Sequence, residues 1–248
     1  MAGNKCLEEG KYYEALEYFD KGLKSDPKDD RLWYNKGVAL ERLGKHEEAL
    51  KYFNKSLEIN PKNVKALGSK GMVLAKLKKH ENALIYLDKA LKLDPNFAIA
   101  WYLKALVLSE FEKRQEAIEC FDKALEIDQN NSDAWFRRGF TLVELGEYQK
   151  AISSYDQTLK IDPINVDAWN NRGIALSELK KHYEALESFN KALKIDPMSI
   201  EACYNKGITL LDGGSDQEAL KCLDKALELD PTFEPALKAK KEILDSES

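Results

Sequence analysis

A period of 34 residues runs through this sequence and limits its fold more than any other feature. Six prolines lie on one 34-residue grid, namely Pro27, Pro61, Pro95, Pro163, Pro197 and Pro231, and Gln129 fills the one empty slot. Two further columns are unbroken: Ala15, Ala49, Ala83, Ala117, Ala151, Ala185 and Ala219, and Leu23, Leu57, Leu91, Leu125, Leu159, Leu193 and Leu227. Chance does not align three such columns, so the chain is a repeat protein.

Each repeat contains two stretches in which apolar residues recur at helical spacing, and we name the two predicted helices A and B. In the first complete repeat these residues are Trp33, Leu40 and Leu43, followed by Ala49, Leu50, Phe53 and Leu57. Helix B ends at the Asp-Pro or Asn-Pro step, because proline disfavours helix in the residue before it. The turn from A to B is short, which makes the two helices antiparallel.

Residues at the helix ends support the same division. The predicted N-caps of the A helices carry side-chain oxygens that can accept from free backbone amides: Asp29, Asn63, Asn131, Asn165 and Ser199. In the turn from A to B, Gly44 and Gly146 suit the left-handed conformation that ends a helix, whereas Lys78 and Lys180 occupy the same slot at a small cost.

The pattern resembles the tetratricopeptide repeat family, whose 34-residue signature combines a tryptophan, a small residue and a closing proline at fixed positions. With Asp30 as position one, position four holds Trp33, Leu67, Trp101, Trp135, Trp169 and Cys203, and position eight holds Gly37, Gly71, Ala105, Gly139, Gly173 and Gly207. The resemblance covers essentially the whole chain. It implies an all-α fold, a right-handed superhelical solenoid of antiparallel helix pairs in a single repeat domain, residues 1–248.

The expected segments of that domain are a partial N-terminal repeat at 1–29, six full repeats and a C-terminal capping helix within 234–248. The full repeats occupy residues 30–63, 64–97, 98–131, 132–165, 166–199 and 200–233. We expect the capping helix to run from about Thr232 to Leu244, with Leu237 and Leu244 on its packing side. The first A helix lacks its opening turns, which would leave Tyr34 and Val38 uncovered; either the chain is a fragment or this truncated edge meets a partner or a second copy.

Composition and motifs argue against several functions. The net charge of −5 offers no general attraction to nucleic acid, and no stretch approaches the roughly 18 apolar residues of a membrane span, so we predict a cytoplasmic protein without membrane insertion. The first eleven residues contain no apolar signal core. No nucleotide-binding or hydrolase motif occurs, so we predict no enzyme, no catalytic residue and no cofactor.

Neither the histidines nor the cysteines suggest a metal site. His46, His80 and His182 share position 17, 34 or more residues apart along one ridge, whereas zinc ligands must converge on one point. We interpret them as packing residues. The cysteines, Cys6, Cys120, Cys203 and Cys222, lack CxxC spacing, and we interpret them as reduced, buried thiols.

The family resemblance implies that A-helix positions 2, 5, 6, 9, 12 and 13 line a concave ligand groove. Positions five and nine form an apolar and aromatic floor: Tyr34, Val38, Gly68, Met72, Tyr102, Leu106, Phe136, Phe140, Asn170, Ile174, Tyr204 and Ile208. At position six, Asn35, Asn171 and Asn205 are expected to hold a ligand's backbone amide. Chaperone-binding relatives grip a terminal carboxylate with lysine, asparagine and arginine from three repeats, and no three repeats here match.

Charged groove positions change sign along the chain. Positions two and thirteen are basic in the first two full repeats, at Arg31, Arg42, Lys65 and Lys76. They are acidic later, at Glu110, Asp133, Glu144, Asp167, Glu178, Glu201 and Asp212. This predicts a ligand that is acidic towards the N-terminal half and basic towards the C-terminal half, or an end-to-end self-contact. The alternative is that these are ordinary solvated charges.

Position seven is basic in every full repeat: Lys36, Lys70, Lys104, Arg138, Arg172 and Lys206. One interpretation is a basic ladder for an acidic ligand. The other, which we favour, is that the aliphatic stems pack between helices while the charges reach carboxylates at the end of helix B, such as Glu58 or Glu126.

Two functions follow from this sequence. The first is a scaffold that binds a peptide or helix of a partner protein in its groove. The second is an architectural or self-assembling solenoid that associates end to end or through the groove. Fold alone does not decide between them.

Overall fold

The computed structural model describes residues 2–246, and over that range it contains helices and no β-strand. Contacts divide the chain into two compact units, one reaching to Asp128 and the other starting at Gln129. No helix of the described residues is long and apolar enough to cross a lipid bilayer.

The first unit contains eight helices within the described residues. They are α1 (Ala2–Glu8), α2 (Tyr12–Ser25), α3 (Asp30–Arg42), α4 (His46–Ile59), α5 (Val64–Lys76), α6 (His80–Leu93), α7 (Ala98–Glu110) and α8 (Arg114–Ile127). Each A helix packs most extensively on the B helix that follows it, and α3, α5 and α7 also lie side by side. The predicted antiparallel pairs are therefore present in this unit.

The second unit contains seven helices up to Ser246. They are α9 (Ser132–Glu144), α10 (Tyr148–Ile161), α11 (Val166–Glu178), α12 (His182–Ile195), α13 (Ile200–Asp212), α14 (Asp216–Leu229) and α15 (Glu234–Ser246). Helices α9 and α10, α11 and α12, and α13 and α14 form the pairs, and α9, α11 and α13 are neighbours. Helix α15 packs on α14 and α13.

The predicted N-caps are confirmed. The side chains of Asn63, Asn131, Asn165 and Ser199 each accept a hydrogen bond from the amide three residues on, and Asp29 accepts from the amide of Arg31. Such a cap stabilises a helix by about 1 kcal/mol. Helix α7 is the exception, because Phe97 stands at its N-cap and makes no side-chain bond.

The turns from A to B use a left-handed residue in every full repeat. Glycine fills this slot at Gly44, Gly146 and Gly214, with φ of 75° or 76°. Lys78, Glu112 and Lys180 adopt the same conformation with φ of 55°, 56° and 60°. The predicted left-handed turns are confirmed, and three of them carry a side chain that disfavours this conformation.

The tryptophan and proline columns are linked by one recurring hydrogen bond. Each indole nitrogen donates to the backbone carbonyl six residues earlier: Trp33 to Pro27, Trp101 to Pro95, Trp135 to Gln129 and Trp169 to Pro163, at 2.8–3.0 Å. The acceptor is backbone, so Gln129 serves as well as proline. This explains how the proline grid tolerates its one empty slot.

Position seven packs as predicted, but the predicted carboxylates were wrong. In several repeats the charge reaches an aspartate sixteen residues earlier, on the preceding B helix. The pairs are Lys36 with Asp20, Lys104 with Asp88, Arg172 with Asp156 and Lys240 with Asp224, at 2.5–2.7 Å. Glu58 and Glu126 instead pair with lysines three residues away on their own helices.

The predicted packing side of the C-terminal helix was also wrong. Helix α15 buries Ala236, Ala239 and Ile243, while Leu237 and Leu244 are 42% and 49% exposed. The helix begins at Glu234 and ends at Ser246, not at Thr232 and Leu244. The buried residues pack against Leu210 and other members of the α13–α14 cluster. Small alanines allow that close approach, whereas the sequence pattern favoured the larger leucines.

One buried hydroxyl lacks a partner. Tyr155 is fully buried, its hydroxyl has no hydrogen bond, and burial raises its pKa. We expect Tyr155→Phe to raise the free energy of unfolding by about 1 kcal/mol, because it removes an unsatisfied polar group. Urea denaturation followed by circular dichroism measures this change. Phe136→Leu, which alters a ring lying 5.9 Å from that of Tyr155 but removes no hydroxyl, is the control and should not stabilise the protein.

Candidate functional site

The A-helix faces of the first unit surround an open cavity of about 400 Å³. It is lined by Tyr34, Val38, Glu41, Arg42, Phe53, Lys65, Gly68, Ser69, Met72, Phe97, Ile99 and Leu103. Six residues that were predicted for the groove therefore lie together: Tyr34, Val38, Arg42, Lys65, Gly68 and Met72. Tyr34 and Val38 are half-buried in this wall, in contrast to the expectation that they would be uncovered.

Sequence reasoning missed Phe97 and Ile99. Phe97 occupies the N-cap slot, and its ring lies over Gly68, where a Cβ would be 2.6 Å from Phe97 Cε1. Ile99 follows in the first turn of α7 and is 58% exposed. The sequence did carry a sign of this role: Phe97 stands at an N-cap position where most other repeats have Asp, Asn or Ser. Phe233 departs from that pattern in the same way, and its ring meets that of Tyr204 edge to face at 5.4 Å.

Some charged side chains around this cavity are held in ion pairs within the protein, whereas Lys65 is not. Lys76 is paired with Glu41, which is only 7% exposed, and the guanidinium of Arg42 lies 3.8 Å from the same carboxylate. Arg31 folds back on Asp29, donating to both its oxygens and holding the pKa of that carboxyl below its usual range. Lys65 is exposed and has no ion pair within residues 2–246.

The remaining predicted residues of the first unit lie on α7. Tyr102 and Leu106 are half-buried, and the ring of Tyr102 lies 6.2 Å from that of Phe121 in a tilted arrangement. The carboxylate of Glu110, at the end of this helix, lies 3.1 Å from His80 Nε2.

In the second unit, the predicted groove residues lie on α9, α11 and α13. Phe136, Ile174, Tyr204 and Ile208 are half-buried, whereas Phe140, Glu144 and Glu178 are exposed, Phe140 to 47%. A smaller cavity of about 340 Å³ lies beside Phe136 and is lined by Ser132, Asp133, Arg137, Asp162, Asn165 and Asp167. Its three carboxylates face a single arginine, and Arg137 lies 3.5 Å from Asp133. The cavity is acidic.

The position-six asparagines are already engaged. Asn35 donates to Asn4 Oδ1 at 3.0 Å, Asn205 donates to Asn170 Oδ1 at 3.1 Å, and Asn171 donates to the backbone carbonyl of Asp167 at 2.8 Å. In each case the amide nitrogen is used inside the protein. The role predicted for these residues, holding a ligand's backbone, stays a prediction.

The histidines begin helices α4, α6 and α12, and the Nδ1 atoms of all three are buried without a hydrogen bond. The His80 ring also contacts Phe111 edge to face. No group of three or more His, Cys, Asp or Glu side chains among the described residues is placed to hold a metal ion.

The expected burial of the cysteines is confirmed for Cys6, Cys120 and Cys203, while Cys222 is partly buried. Burial raises the pKa of Cys120 to about 11 and also raises the pKa values of Cys203 and Cys222. A raised pKa keeps these thiols protonated and unreactive near neutral pH.

Family models of the tetratricopeptide repeat match most of this chain. One model matches residues 31–63, 64–97, 98–131, 166–199 and 200–233. A second model of the same repeat matches residues 120–153, and a third matches residues 3–44 and 139–180. A curated relative, the Hsp70-Hsp90 organising protein of Plasmodium falciparum, is 46% identical over 41 residues. That match spans 16% of this chain and 16% of the relative.

Solved structures give longer matches. YrrB, a TPR protein with an unusual peptide-binding site, is 31% identical with a TM-score of 0.71, over 76% of this chain and 97% of YrrB. MamA is 26% identical with a TM-score of 0.63, over 68% of this chain and 92% of MamA. The C-terminal part of a TPR repeat-containing protein from Cytophaga hutchinsonii is 18% identical with a TM-score of 0.76, which shows a shared fold alone.

Proposed function

Because the chain belongs to the tetratricopeptide repeat family, we propose that it is a scaffold that binds a peptide or helix of a partner protein on its exposed A-helix faces. The observation that carries this proposal is the open apolar cavity of the first unit, with Ile99 58% exposed beside it. Exposed apolar clusters with polar rims are typical of sites that bind other proteins. YrrB, which resembles this chain over most of its length, supports a peptide as the ligand.

The charges of the two units predict the orientation in which a ligand would bind. The first unit offers Lys65 and Arg42 at its cavity, and the second offers Asp133, Asp162 and Asp167. A ligand with acidic residues for the first unit and basic residues for the second would complement both. Because the pairing of Lys76 and Arg31 already offsets part of the basic charge, we expect the apolar contacts to supply most of the affinity.

The same reasoning extends to the functions that we do not assign. We propose no catalytic role, because the sequence contains no nucleotide-binding or hydrolase motif, and Arg31, Lys76 and Arg137 lie in ion pairs typical of helix surfaces. A cytoplasmic location stays a prediction from the sequence, as does the lack of nucleic-acid binding expected from the net charge of −5.

The second candidate, self-assembly, is favoured by one observation. Leu237 and Leu244 are both largely exposed on α15. If copies associate through this face, sedimentation velocity should show a concentration-dependent oligomer that Leu237→Ser with Leu244→Ser abolishes. A monomer at all concentrations would argue against self-assembly.

A displayed library of random peptides tests the scaffold proposal. Ile99→Ser with Phe140→Ser removes one exposed apolar side chain from the A-helix face of each unit. The matched control, Tyr13→Ser with Tyr183→Ser, removes two side chains that are 65% and 74% exposed on the B helices α2 and α12. We expect selected peptides to bind the first variant about 30-fold more weakly, since two buried apolar contacts contribute about 2 kcal/mol.

The control variant should bind selected peptides as the natural protein does. Equal binding by both variants, or loss of binding only in the control, would place the ligand elsewhere and contradict the proposal. All four side chains are exposed, so neither variant should lose its fold, and circular dichroism checks this.

A further inference from the structure

We propose that the cavity between α3, α5 and α7 is a selective subsite for one large apolar side chain of a peptide in which a neighbouring residue carries a carboxylate. This inference rests on the proposed peptide-binding function and specifies the chemistry of the ligand. Three features support it: the glycine at position five of α5, the wall formed by Phe97 and the charges at the rim.

The cavity lies where a full repeat carries glycine at position five instead of a larger side chain. Position five carries Tyr34 on α3 and Tyr102 on α7, but Gly68 stands between them on α5. Among the full repeats, glycine occurs at this position only here. Because Gly68 has no side chain, the space beside it is shared between the ring of Phe97 and the cavity, and Met72 lines the cavity from the following turn of α5.

A phenylalanine from another position forms one wall of that space. The ring of Phe97 approaches so closely that a Cβ on Gly68 would lie 2.6 Å from its Cε1. Glycine at position 68 and phenylalanine at position 97 therefore depend on each other, because a larger residue at 68 would collide with the Phe97 ring. Phe97 also makes no capping hydrogen bond of the kind that Asn63, Asn131 and Asn165 make, so helix α7 begins without that stabilisation.

The remaining lining fits an apolar occupant. Val38, Leu103 and Ile99 complete the walls with Phe53, whose ring is fully buried. The volume of about 400 Å³ exceeds what one side chain fills, so the adjoining backbone of a peptide can enter as well. An aromatic or long aliphatic side chain buries most apolar surface in such a space.

The rim selects the neighbouring charge. Glu41 is the one acidic residue of the lining, and it is neutralised by Lys76 from outside the cavity. Lys65 and Arg42 then leave the rim positive, and both side chains are exposed. A carboxylate beside the apolar anchor would meet these two cations, with a contribution that weakens as salt rises.

Three fluorescent octapeptides test the subsite. The first has one phenylalanine flanked by glutamates in a glycine and serine background, the second has alanine for the phenylalanine, and the third has lysines for the glutamates. We expect the first to bind at least tenfold more tightly than either other peptide, by fluorescence anisotropy at low salt. Its advantage over the lysine peptide should shrink at high salt.

The methyl resonance of Met72 reports the location directly. Binding of the phenylalanine peptide should shift this signal, while the methyl of Met198, 65% exposed between α12 and α13, should not move and is an internal control. Binding that leaves the Met72 signal unchanged would overturn the assignment to this cavity.

Two variants separate binding from folding. Phe97→Asn removes the wall and restores the capping residue of the other repeats, so we expect at least a tenfold loss of binding with a folded protein. Lys65→Glu should weaken binding about fivefold at low salt. Its matched control, Lys62→Glu, makes the same charge change on an exposed loop residue outside the lining and should have no effect.

Failure of the subsite and failure of the scaffold proposal give different results. If library peptides bind in a manner that depends on Ile99 and Phe140 but Phe97→Asn and Lys65→Glu have no effect, the subsite is wrong and the scaffold proposal stands. If no peptide binding depends on Ile99 or Phe140, the scaffold proposal itself is wrong.

Discussion

Replacing Phe189 with alanine should lower the free energy of unfolding of the second unit by about 3–5 kcal/mol. Phe189 on α12 is fully buried, and its ring fills the space that Gly173 on α11 leaves open. A Cβ on Gly173 would lie 2.6 Å from Phe189 Cε1, so the ring and the glycine form one close contact between the two helices. Alanine at position 189 would leave a cavity that the backbone of α11 cannot fill.

Chemical denaturation followed by circular dichroism measures this loss, and hydrogen exchange of the α11 and α12 amides locates it. Phe140→Ala is the control, because it removes the same number of atoms from a side chain that is 47% exposed in the same unit. We expect a change of less than about 1 kcal/mol there. Equal losses in both variants would show that the buried contact with Gly173 is not the source of the stability.

Glycine at the three strained turns should have the opposite effect. Lys78, Glu112 and Lys180 hold positive φ angles between 55° and 60°, a conformation that costs a residue with a Cβ about 1 kcal/mol more than it costs glycine. The triple variant should therefore be more stable by about 3 kcal/mol. The ion pair of Lys180 with Asp212, at 3.4 Å and exposed, is lost at little cost.

Thermal and urea denaturation of the single and triple variants measure the gain, which should be additive because the sites are far apart in sequence and share no partner. Lys79→Gly is the matched control. Lys79 is adjacent to Lys78 but has φ of −93°, so glycine there should lower stability. If Lys78→Gly destabilised the protein as Lys79→Gly does, the turn would not be strained.

Much of the architecture could be predicted from sequence because each contact recurs. The caps at Asn63, Asn131 and Asn165 and the left-handed turn at Gly44 are local features, each decided by residues within one turn of chain. Because the same cap and turn residues recur from repeat to repeat, the helix boundaries can be predicted with little error. Family membership follows from the same recurrence.

Predictions failed where the same sequence pattern allowed more than one helix face or more than one ion-pair partner. On α15, leucines at 237 and 244 and the alanine face at 236 and 239 are both periodic, and the packing against Leu210 decided for the alanines. For Lys36, the sequence did not show which nearby carboxylate would be its partner. The packing of α3 against α2 places Asp20 next to it. Periodicity shows that a face is buried but not always which one.

The sequence by itself determined the repeat, the paired helices, their caps and their turns, because all of these depend on spacing along one chain segment. Only the tertiary structure showed which side chains surround the cavity of the first unit. The ring of Phe97 lies over Gly68, and Lys76 neutralises Glu41, through contacts between positions that are not equivalent in the repeat. The residues in these contacts depart from the repeat pattern, so periodicity does not predict the contacts, and their geometry depends on how neighbouring helices pack.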